Sequence, residues 1–454
     1  MKVVLNYIGS KLSLINFIQY VVKTEVKEKI NTVGDLFAGT GVVGFDFKKR
    51  GYKVIANDIQ YYSFIINKKF LCTNQMLEFK GLINEIIGLE KSNKEDRILK
   101  VLEFLNRIPL ENHGFIYDNY SSGGTSGKNF ERMYFSDENA LKIDTIRIKI
   151  EYWFKEKKIT EQEYFYLLST LIEASDKVAN TASVYGAFLK KIKSSAQKEL
   201  KLEYNKIIFS EKNNIVFNDD ILNILNNEQI DLLYLDPPYN FRQYCTNYHL
   251  LETISRYDNP IISGKTGLRE YQKQKSNFCA KNKVKEEFKK IVKKTNAKYI
   301  LLSYNNEGLM SIKDVQEVLS LRGNPKTFIL KYKRFKADKT ENRNHKTDST
   351  YEYLHLVKCD WNKDTVTVDE FPIIEIDNDI INNKTNYLQT NWDFVLLTDL
   401  KDIWVLPYEF LKRKPCNIYI SKNKIECFKN HIGILRMNEK ELMEVLIDSK
   451  NHSA

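Results

Sequence analysis

The sequence predicts an α/β fold built on a doubly wound, mostly parallel sheet. Residues 33–41 read as a short apolar strand entering a glycine turn, and residues 42–50 continue with a helical pattern. Residues 52–58 read as a second strand, which ends in an acid. Far downstream, the apolar run 232–235 stops at two consecutive prolines, because each proline lacks a backbone N–H and has a fixed φ. Strands that alternate with helices predict a parallel sheet, whose ligands bind beyond the carboxyl ends of its strands.

The first block, residues 1–73, is predicted to form the cofactor-binding half of this sheet. Within it, residues 11–27 carry apolar side chains at helical spacing and are expected to form a helix. Gly39 and Gly41 allow positive φ angles and let a ligand approach the backbone closely. We therefore expect the strand–turn–helix unit around these glycines to hold the cofactor.

The acids around this turn favour a cofactor without phosphates. The glycine spacing differs from the G-x-G-x-x-G pattern of dinucleotide sites, and Asp35 would repel a pyrophosphate and attract a cation. Asp58, 17 residues beyond Gly41, ends the second strand, where a carboxylate can accept hydrogen bonds from ribose hydroxyls. S-adenosylmethionine meets these requirements, because it has a ribose, a sulfonium and an α-amino group but no phosphate.

The segment Asp236-Pro237-Pro238-Tyr239 is the strongest candidate for a catalytic site, because the two prolines hold it as a stiff loop at the carboxyl end of a strand. The chemistry that fits is methylation of an exocyclic amine on a nucleic-acid base. Asp236 would accept one amine hydrogen and the main-chain carbonyl of Pro237 the other, which stabilises the positive charge that develops on the nitrogen. Pro238 would help to fix the two acceptors, and Tyr239 would stack on the base after it leaves the duplex.

Four motifs, in this order, resemble the Dam-like adenine-specific DNA methyltransferases, which act on an exocyclic amine. They are residues 6–11, residues 35–41, Asp58 and residues 236–239. The resemblance covers about residues 1–75 and 215–358. It implies a Rossmann-like methyltransferase sheet, S-adenosylmethionine as cofactor, double-stranded DNA as substrate, and the modification role in a restriction–modification system, with a cognate restriction endonuclease as a candidate partner. The cofactor-binding residues that it implies are Tyr7, Lys11, Asp35, Phe37, Gly39, Gly41, Asp58 and Asp220.

Several of these residues keep alternatives. Lys11 is expected to reach the carboxylate of the cofactor or the DNA backbone, or else is a surface lysine with neither role. Tyr7 is either a cofactor contact or a core aromatic residue, and Asp58 is either a ribose contact or a plain loop acid. Asp220 is favoured over Asp219 for the contact with the cofactor's adenine, because it directly precedes the apolar Ile221.

The resemblance also orders the later part of the chain. Residues 211–358 would form the catalytic half of the sheet, with 299–305 as the strand after the catalytic one. Residues 326–336 and 349–358 would form the closing antiparallel hairpin. In the helix after the catalytic loop, His249 is interpreted as a structural residue rather than a general base.

Two further regions lie outside this pattern. Residues 74–210 are predicted to be a mostly helical insertion, with a long helix over 161–178 and a polar, glycine-rich loop at 120–127 that serves as a flexible hinge or tip. Residues 359–454 read as an α+β extension, with strand-like runs and a final helix over 438–449. The resemblance to the Dam-like enzymes implies a target-recognition region between the third cofactor strand and the catalytic strand. Asp220 and Asp236 are only 16 residues apart, which leaves no room for it there, so base recognition is expected from the insertion, from the extension, or from both.

The charge of the chain favours an anionic partner. Seventy basic and 59 acidic residues give a formal net charge of +11, as expected of a DNA-binding protein. Arg242 is a candidate DNA contact beside the flipped base. The basic and aromatic stretch 331–336 offers three more candidates, Lys333, Arg334 and Lys336. A compositional bias of the genome and a solvated hairpin face are the alternative explanations.

Composition excludes several other classes of protein. No run of 18 apolar residues occurs, and residues 1–5 are too short an apolar start for a signal peptide. The six cysteines are scattered, which favours reduced thiols in the cytoplasm. The six histidines form no cluster with them, so no metal site is expected, and methyl transfer needs none.

Other functions remain open at this point. The acceptor could be a cytosine amine in DNA or an adenine in RNA, although an aspartate that opens the catalytic tetrapeptide favours adenine. Carbon-5 cytosine chemistry needs a catalytic Pro-Cys pair, and Pro415-Cys416 lies far outside the predicted sheet. A non-catalytic DNA-binding relative would be expected to lose Asp236 or the glycines, and this chain keeps them.

Overall fold

The computed structural model divides the chain into two units, residues 1–378 and residues 379–454. In the first unit it describes residues 5, 7–111, 113–333, 349–363, 365–366 and 371–376. In the second unit it describes residues 388–389, 394–398, 403–407, 420–421, 424–425 and 435–437.

Most strands of the first unit belong to one large sheet. The described strands of this unit are β1 (Thr32–Asp35), β2 (Lys53–Asn57), β3 (Ile215–Phe217), β4 (Leu232–Leu235), β5 (Ile262–Ser263), β6 (Leu268–Arg269), β7 (Tyr299–Asn305), β8 (Lys326–Lys333), β9 (Ser349–Lys358) and β10 (Ile373–Ile376). β5 and β6 form a small antiparallel hairpin, and the other eight follow the order β10-β8-β9-β7-β4-β1-β2-β3. Only β9 runs antiparallel to its neighbours. The predicted doubly wound α/β fold is thereby confirmed.

The helices follow the strands as expected for this fold. In chain order they are α1 (Ile15–Glu25), α2 (Val42–Lys49), α3 (Tyr61–Asn67), α4 (Lys94–Asn106), α5 (Phe115–Tyr120), α6 (Ser122–Thr125), α7 (Asp137–Lys155), α8 (Glu161–Lys177), α9 (Ile221–Asn227), α10 (Tyr244–Asn247), α11 (His249–Arg256), α12 (Val284–Lys294) and α13 (Ile312–Leu319). The helix predicted over 11–27 is a 3₁₀ turn at Leu12–Leu14 followed by α1. α8 begins at a capping box, in which Thr160 and Glu163 bond each other's backbone N–H groups.

The centre of the sheet is buried on both faces. Leu232, Leu233 and Leu235 of β4 have no exposed surface, which is typical of a parallel strand covered by helices on both sides. On one face, side chains of α12 and α13 such as Phe288 and Val315 pack against this strand. The rigid centre therefore determines where the loop after β4, with Asp236, is held.

The helices α4–α8 lie in the segment between β2 and β3, where the insertion was predicted. A buried ion pair joins this segment to the sheet region: the ammonium of Lys69 lies 2.7 Å from the carboxylate of Glu173 on α8. Lys69 also donates to the hydroxyl of Thr170 at 3.0 Å, and Glu173 accepts from the hydroxyl of Ser169 at 3.0 Å. Because the pair is hydrogen-bonded on both sides, its charges are compensated despite their burial.

The prediction of a flexible tip at 120–127 is wrong. The segment contains α6, and Tyr120, Ser121 and Thr125 have no exposed surface. The hydroxyl of Ser121 caps the helix by accepting from the N–H of Gly124 at 3.0 Å. A side chain at Gly124 would overlap the backbone of α5, so this glycine permits close packing rather than flexibility.

The second unit contains the strands predicted over 394–398 and 403–406, and of the run predicted over 418–420 only residue 420 is described, in a strand. The described strands of this unit are β11 (Leu388–Gln389), β12 (Phe394–Thr398), β13 (Ile403–Pro407), β14 (Ile420–Ser421), β15 (Lys424–Ile425) and β16 (Leu435–Met437). Three of them, β11, β15 and β16, were not predicted. β11, β12, β13 and β16 form an antiparallel sheet in this order. The helix predicted over 438–449 lies outside the described residues. Over the part of the chain that the structure describes, no helix has the length and apolar character needed to cross a membrane.

Candidate active site

One cleft lies at the carboxyl edge of the sheet, and it collects the acids that end the strands. Asp35 ends β1, Asp58 directly follows β2, and Asp236 directly follows β4. All three line the cleft, together with the predicted residues Tyr7, Lys11, Phe37, Gly39 and Asp220. Strands β1, β2 and β4 are neighbours and parallel, so residues that are about 200 positions apart meet at a single edge.

The glycine turn after β1 forms one wall of this cleft. Gly39 has a φ of +51° and Gly41 a φ of +75°, a region that only glycine occupies without strain. The N–H of Gly39 donates to the carboxylate of Asp58 at 2.8 Å. A Cβ at Gly39 would lie 3.1 Å from the Tyr7 ring, and one at Gly41 would overlap the side-chain oxygen of Asn67. Glycine is therefore required at both positions, by the positive φ and by the close packing of Tyr7 and Asn67 against the turn.

We expect Gly41→Ala to destabilise the protein and to weaken cofactor binding. Gly51, with a φ of +86° and open space around its Cβ position, offers a matched control. The positive φ alone is expected to cost about 1–2 kcal/mol in Gly51→Ala. Gly41→Ala should cost about 1–3 kcal/mol more, because the new methyl group must displace Asn67. Chemical denaturation measures both, and equal losses in the two variants would contradict the packing role of Gly41.

Asp35 is a buried carboxylate with one oxygen left without a partner. Its Oδ2 accepts from the N–H of Gly44 on α2 at 3.0 Å, whereas its Oδ1 has no hydrogen-bond partner. Burial raises the pKa of Asp35 to about 7, against the lowering effect of the Gly44 bond. A buried and unsatisfied carboxylate oxygen in the wall of a cleft is suited to a cationic group of a ligand.

Asp58 is held by backbone groups on both of its oxygens. Oδ2 accepts from Gly39 at 2.8 Å and Oδ1 accepts from the N–H of Gln60 at 2.8 Å. Burial raises the pKa of Asp58 to about 6, and these two bonds limit the rise. Each carboxylate oxygen can accept a second hydrogen bond, so ribose hydroxyls could still be bound.

Asp219 and Asp220 both line the cleft, so the choice between them stays a prediction. Asp220 caps α9, since its Oδ1 accepts from the N–H of Leu222 at 2.8 Å. Oδ1 of Asp219 accepts from two donors, the N–H of Asp220 at 2.7 Å and the side chain of Asn223 at 3.0 Å. Both side chains are thereby fixed at the end of β3.

The sequence did not indicate the partner that Lys11 has in the structure. Its ammonium lies 2.9 Å from Oδ1 of Asp236, with 6% and 17% of the two side chains exposed. Burial raises the pKa of Asp236, and the charge of Lys11 opposes that rise. Burial acts to lower the pKa of Lys11, but Asp236 holds it above its ordinary value. Lys11 therefore favours the ionised form of the carboxylate that the sequence identified as catalytic.

The rest of the catalytic tetrapeptide is held against the neighbouring strand β7. The ring of Tyr239 meets the ring of Tyr304 edge-on, with 6.2 Å between the ring centres. The main-chain carbonyl of Tyr239 accepts from the N–H of Leu309 at 2.9 Å. The ammonium of Lys11 lies 5.7 Å from the centre of the Tyr239 ring. Pro237 is buried and Pro238 lines the cleft.

Aromatic side chains from α10 and from the junction of α10 and α11 hold the N-terminal segment over the cleft. Tyr7 stacks on Tyr248 with ring centres 4.7 Å apart and lies 5.5 Å from Tyr244. The hydroxyl of Tyr248 accepts from the N–H of Ile8 at 2.7 Å, and the hydroxyl of Tyr244 donates to the carbonyl of Ile8 at 3.2 Å. Tyr7 thus lines the cleft and is also packed in an aromatic cluster, so both of its predicted roles remain open.

The structural interpretation of His249 agrees with its surroundings. The residue has no exposed surface, and its Nε2 lies 3.0 Å from the carbonyl of Tyr185. Burial lowers the pKa of His249 to about 4, so the ring is neutral near pH 7. It lies among Tyr120 and Tyr134 rather than in the cleft.

Two parts of the site were missed from the sequence. Residues 273–278 cover one side of the cleft, and Gln274 ties this segment to Glu252 on α11 at 2.7 Å. Glu352 on β9 pairs in register with Asn305 of β7, and its charge acts on both Lys11 and Asp236. Burial raises its pKa to about 7.

The candidate DNA contacts are only partly described. Arg242 is exposed on the catalytic loop. Lys333 ends β8, but its side chain, together with Arg334 and Lys336, lies outside the described residues. These assignments stay predictions.

Comparison with known proteins gives consistent matches over most of the chain. A family model described as D12 class N6 adenine-specific DNA methyltransferase matches residues 7–318. Type II methyltransferase M.NlaIII of Neisseria lactamica is 44% identical over 356 residues, which covers 78% of this chain and 99% of that protein. Type II methyltransferase M.FokI of Planomicrobium okeanokoites is 37% identical, over 78% of this chain and 53% of that protein. Type II methyltransferase M.CviAII of Paramecium bursaria Chlorella virus 1 is 33% identical, over 73% of this chain and 93% of that protein.

Proposed function

The chain belongs to the D12 class of N6 adenine-specific DNA methyltransferases, and from this premise we propose that it transfers the methyl group of S-adenosylmethionine to an adenine flipped out of double-stranded DNA. The observation that carries the proposal is the buried pair of Lys11 and Asp236, 2.9 Å apart. This pair lies in the wall of the cleft that Asp35 and Asp58 also line.

The residues of the cleft fit S-adenosylmethionine. When bound, this cofactor supplies an activated methyl group on a sulfonium. Asp35, with its unpartnered Oδ1, would accept from the α-amino group, and Asp58 would accept from the ribose hydroxyls. Gly39, which lines the cleft, adds no side chain to its wall.

The chemical problem that the protein solves is the weak nucleophilicity of an adenine amine. Asp236 accepts a hydrogen bond from one N–H of the amine, and the carbonyl of Pro237 accepts a hydrogen bond from the other. These two bonds move the nitrogen toward a tetrahedral geometry. The same two acceptors stabilise the positive charge that develops on that nitrogen during transfer. Because the prolines and the contacts of Tyr239 hold this loop, little reorganisation is needed. Asp236 then accepts the proton that the methylated amine loses.

We expect the affinity for S-adenosylmethionine to fall as the pH falls through about 7. Asp35 has a pKa raised to about 7, chiefly by burial, with Asp236 and Asp58 adding to the rise, and its protonated form cannot pair with an ammonium group. Affinity should decrease below this pH, by up to about tenfold per pH unit. Calorimetric titration over a pH series measures this dependence.

Two aspartate variants separate the contributions to this curve. Asp35→Asn should bind S-adenosylmethionine weakly at high pH and lose the transition in affinity near pH 7. A fall in affinity near pH 6 should remain, because burial raises the pKa of Asp58 to about 6. Asp46→Asn is the matched control, since Asp46 pairs with Arg50 on α2 at 2.7 Å. An unchanged transition near pH 7 in Asp35→Asn would contradict the assignment.

A transfer assay tests the proposed function. The purified chain is incubated with methyl-tritiated S-adenosylmethionine and unmethylated genomic DNA, and the nucleosides are then separated. We expect the label in N6-methyladenine. Label in a methylcytosine, or transfer to RNA alone, would contradict the proposal. Binding of the cofactor without transfer to any nucleic acid would indicate a non-catalytic relative.

We also propose that the chain is the modification enzyme of a type II restriction–modification system with a cognate endonuclease, which places it in the cytoplasm with the DNA. Relatives with alignments covering 99% and 93% of their length carry the name type II methyltransferase. Arg242, Lys333, Arg334 and Lys336 are the proposed DNA contacts, in a chain with a net charge of +11. DNA methylated by this enzyme should resist the cognate endonuclease, and unmethylated DNA should be cut.

A further inference from the structure

An exposed aromatic ring follows the catalytic residues and has no role in the site described above. Phe241 is 68% exposed and lies two residues beyond Tyr239. Two residues span at most about 7 Å, so Phe241 lies close to the place where Tyr239 would meet the base. A single exposed aromatic ring is ordinary on a protein surface, and Phe241 differs because a rigid loop carries it.

The loop is anchored on both sides of Phe241. On one side, the carbonyl of Tyr239 accepts from the N–H of Leu309 at 2.9 Å. On the other side, the side-chain amide of Gln243 donates to the carbonyl of Ser276 at 3.0 Å and accepts from its N–H at 2.9 Å. The backbone of this loop therefore cannot fold the ring back onto the protein without losing these bonds.

The residues next to Phe241 are fixed as well. The side chain of Asn240 accepts from the N–H of Arg242 at 3.0 Å, which closes a turn around Phe241. The thiol of Cys279 donates to the carbonyl of Arg242 at 3.3 Å. The side chain of Arg242 is exposed beside the ring and can meet a phosphate of the same duplex. An apolar ring with a guanidinium next to it matches the base stack and the backbone of DNA.

Base flipping leaves a gap in the duplex, and proteins that deform DNA fill such gaps with apolar side chains. We propose that Phe241 enters the base stack of the duplex when the target adenine leaves it, and so stabilises the flipped state. Phe241 is a positioning residue, because it acts on the neighbours of the reacting base and not on the reacting atoms. The inference rests on the proposed function, since it requires an adenine that is extruded from double-stranded DNA.

Two duplexes test this role, each carrying the recognition sequence mapped from DNA that the wild-type enzyme has methylated. In one duplex the target adenine is paired with thymine, and in the other it faces an abasic site, so that no pair must be broken. We expect Phe241→Ala to slow single-turnover methylation of the paired duplex by about tenfold to a hundredfold, the range of one base–aromatic stacking contact. On the unpaired duplex the loss should shrink to less than about threefold. Phe241→Trp should restore the rate on the paired duplex.

Phe209 supplies the matched control for an exposed ring. It is 58% exposed and precedes the amino end of β3, whereas Phe241 follows the carboxyl end of β4, so Phe209→Ala should leave both rates unchanged. Equal rates for Phe241→Ala and the wild type on the paired duplex would overturn the proposal. An equal loss on both duplexes would also overturn it, since the ring would then act on a step other than flipping. If the wild type methylates no adenine in the DNA used for the mapping, no recognition sequence is obtained, and that result would overturn the proposed function and this role with it.

Discussion

Asp236→Asn is expected to slow methyl transfer by about a hundredfold to a thousandfold and to leave the affinity for the cofactor nearly unchanged. Asparagine keeps the shape of the side chain but removes the negative charge that would face the developing charge on the amine nitrogen. It also removes the carboxylate that lies 2.9 Å from the ammonium of Lys11, whose side chain is 6% exposed. Single-turnover formation of N6-methyladenine measures the first effect, and calorimetric titration with S-adenosylmethionine measures the second.

Asp231 is the matched control, because it lies at the opposite end of the same strand. Its Oδ2 accepts from the N–H groups of Asn31 at 2.7 Å and Thr32 at 3.0 Å. Asp231→Asn should therefore lower the free energy of unfolding by about 1–2 kcal/mol. Its transfer rate should stay within about twofold of the wild type, because no contact in the cleft is lost. A wild-type rate in Asp236→Asn, or an equal loss of rate in Asp231→Asn, would contradict the catalytic assignment.

The sheet and the acids of its carboxyl edge could be predicted because they depend on local sequence. The central strands are short and largely apolar runs, a glycine turn follows β1, and a Pro-Pro pair follows β4. In a parallel sheet, such ends lie at one edge whatever their separation in sequence. For this reason Asp35, Asp58 and Asp236 were predicted to share a cleft, and they line one.

The contacts between distant segments could not be predicted in the same way. No local pattern indicates that Lys11 bonds Asp236, since that contact depends on how α10 and its junction with α11 hold the N-terminal segment. Glu352 did leave a signal, because strand alternation places it on the same face as the buried Leu354 and Leu356, where an acid is unexpected. The glycines at 123 and 124 suggested flexibility, but such residues also permit close packing, and sequence alone does not separate the two uses.

Lys11→Met is expected to move the acid limb of the pH–rate profile to higher pH and to lower the rate near neutral pH by about tenfold to a hundredfold. Burial raises the pKa of Asp236, and Lys11 is the group that opposes this rise. Without the ammonium, the carboxyl group stays protonated up to a higher pH and cannot act as an anionic acceptor. The rate should recover as the pH rises, whereas Lys11→Arg, which keeps the charge, should retain a limb close to that of the wild type.

The titration of Glu352 must be distinguished from that of Asp236 before the displaced acid limb can be assigned to either carboxyl group, because the charge of Lys11 acts on both. Burial raises the pKa of Glu352 to about 7, and removal of Lys11 would raise it further. In the double variant Lys11→Met with Glu352→Gln, a limb that stays displaced assigns the titration to Asp236. A limb that disappears assigns it to Glu352 and contradicts the role of Lys11 in keeping Asp236 ionised. Glu352 is held on β9 beside Asn305, whereas Asp236 lies on the loop after β4, so Glu352→Gln removes one of the two titrating groups without altering the loop that carries the other.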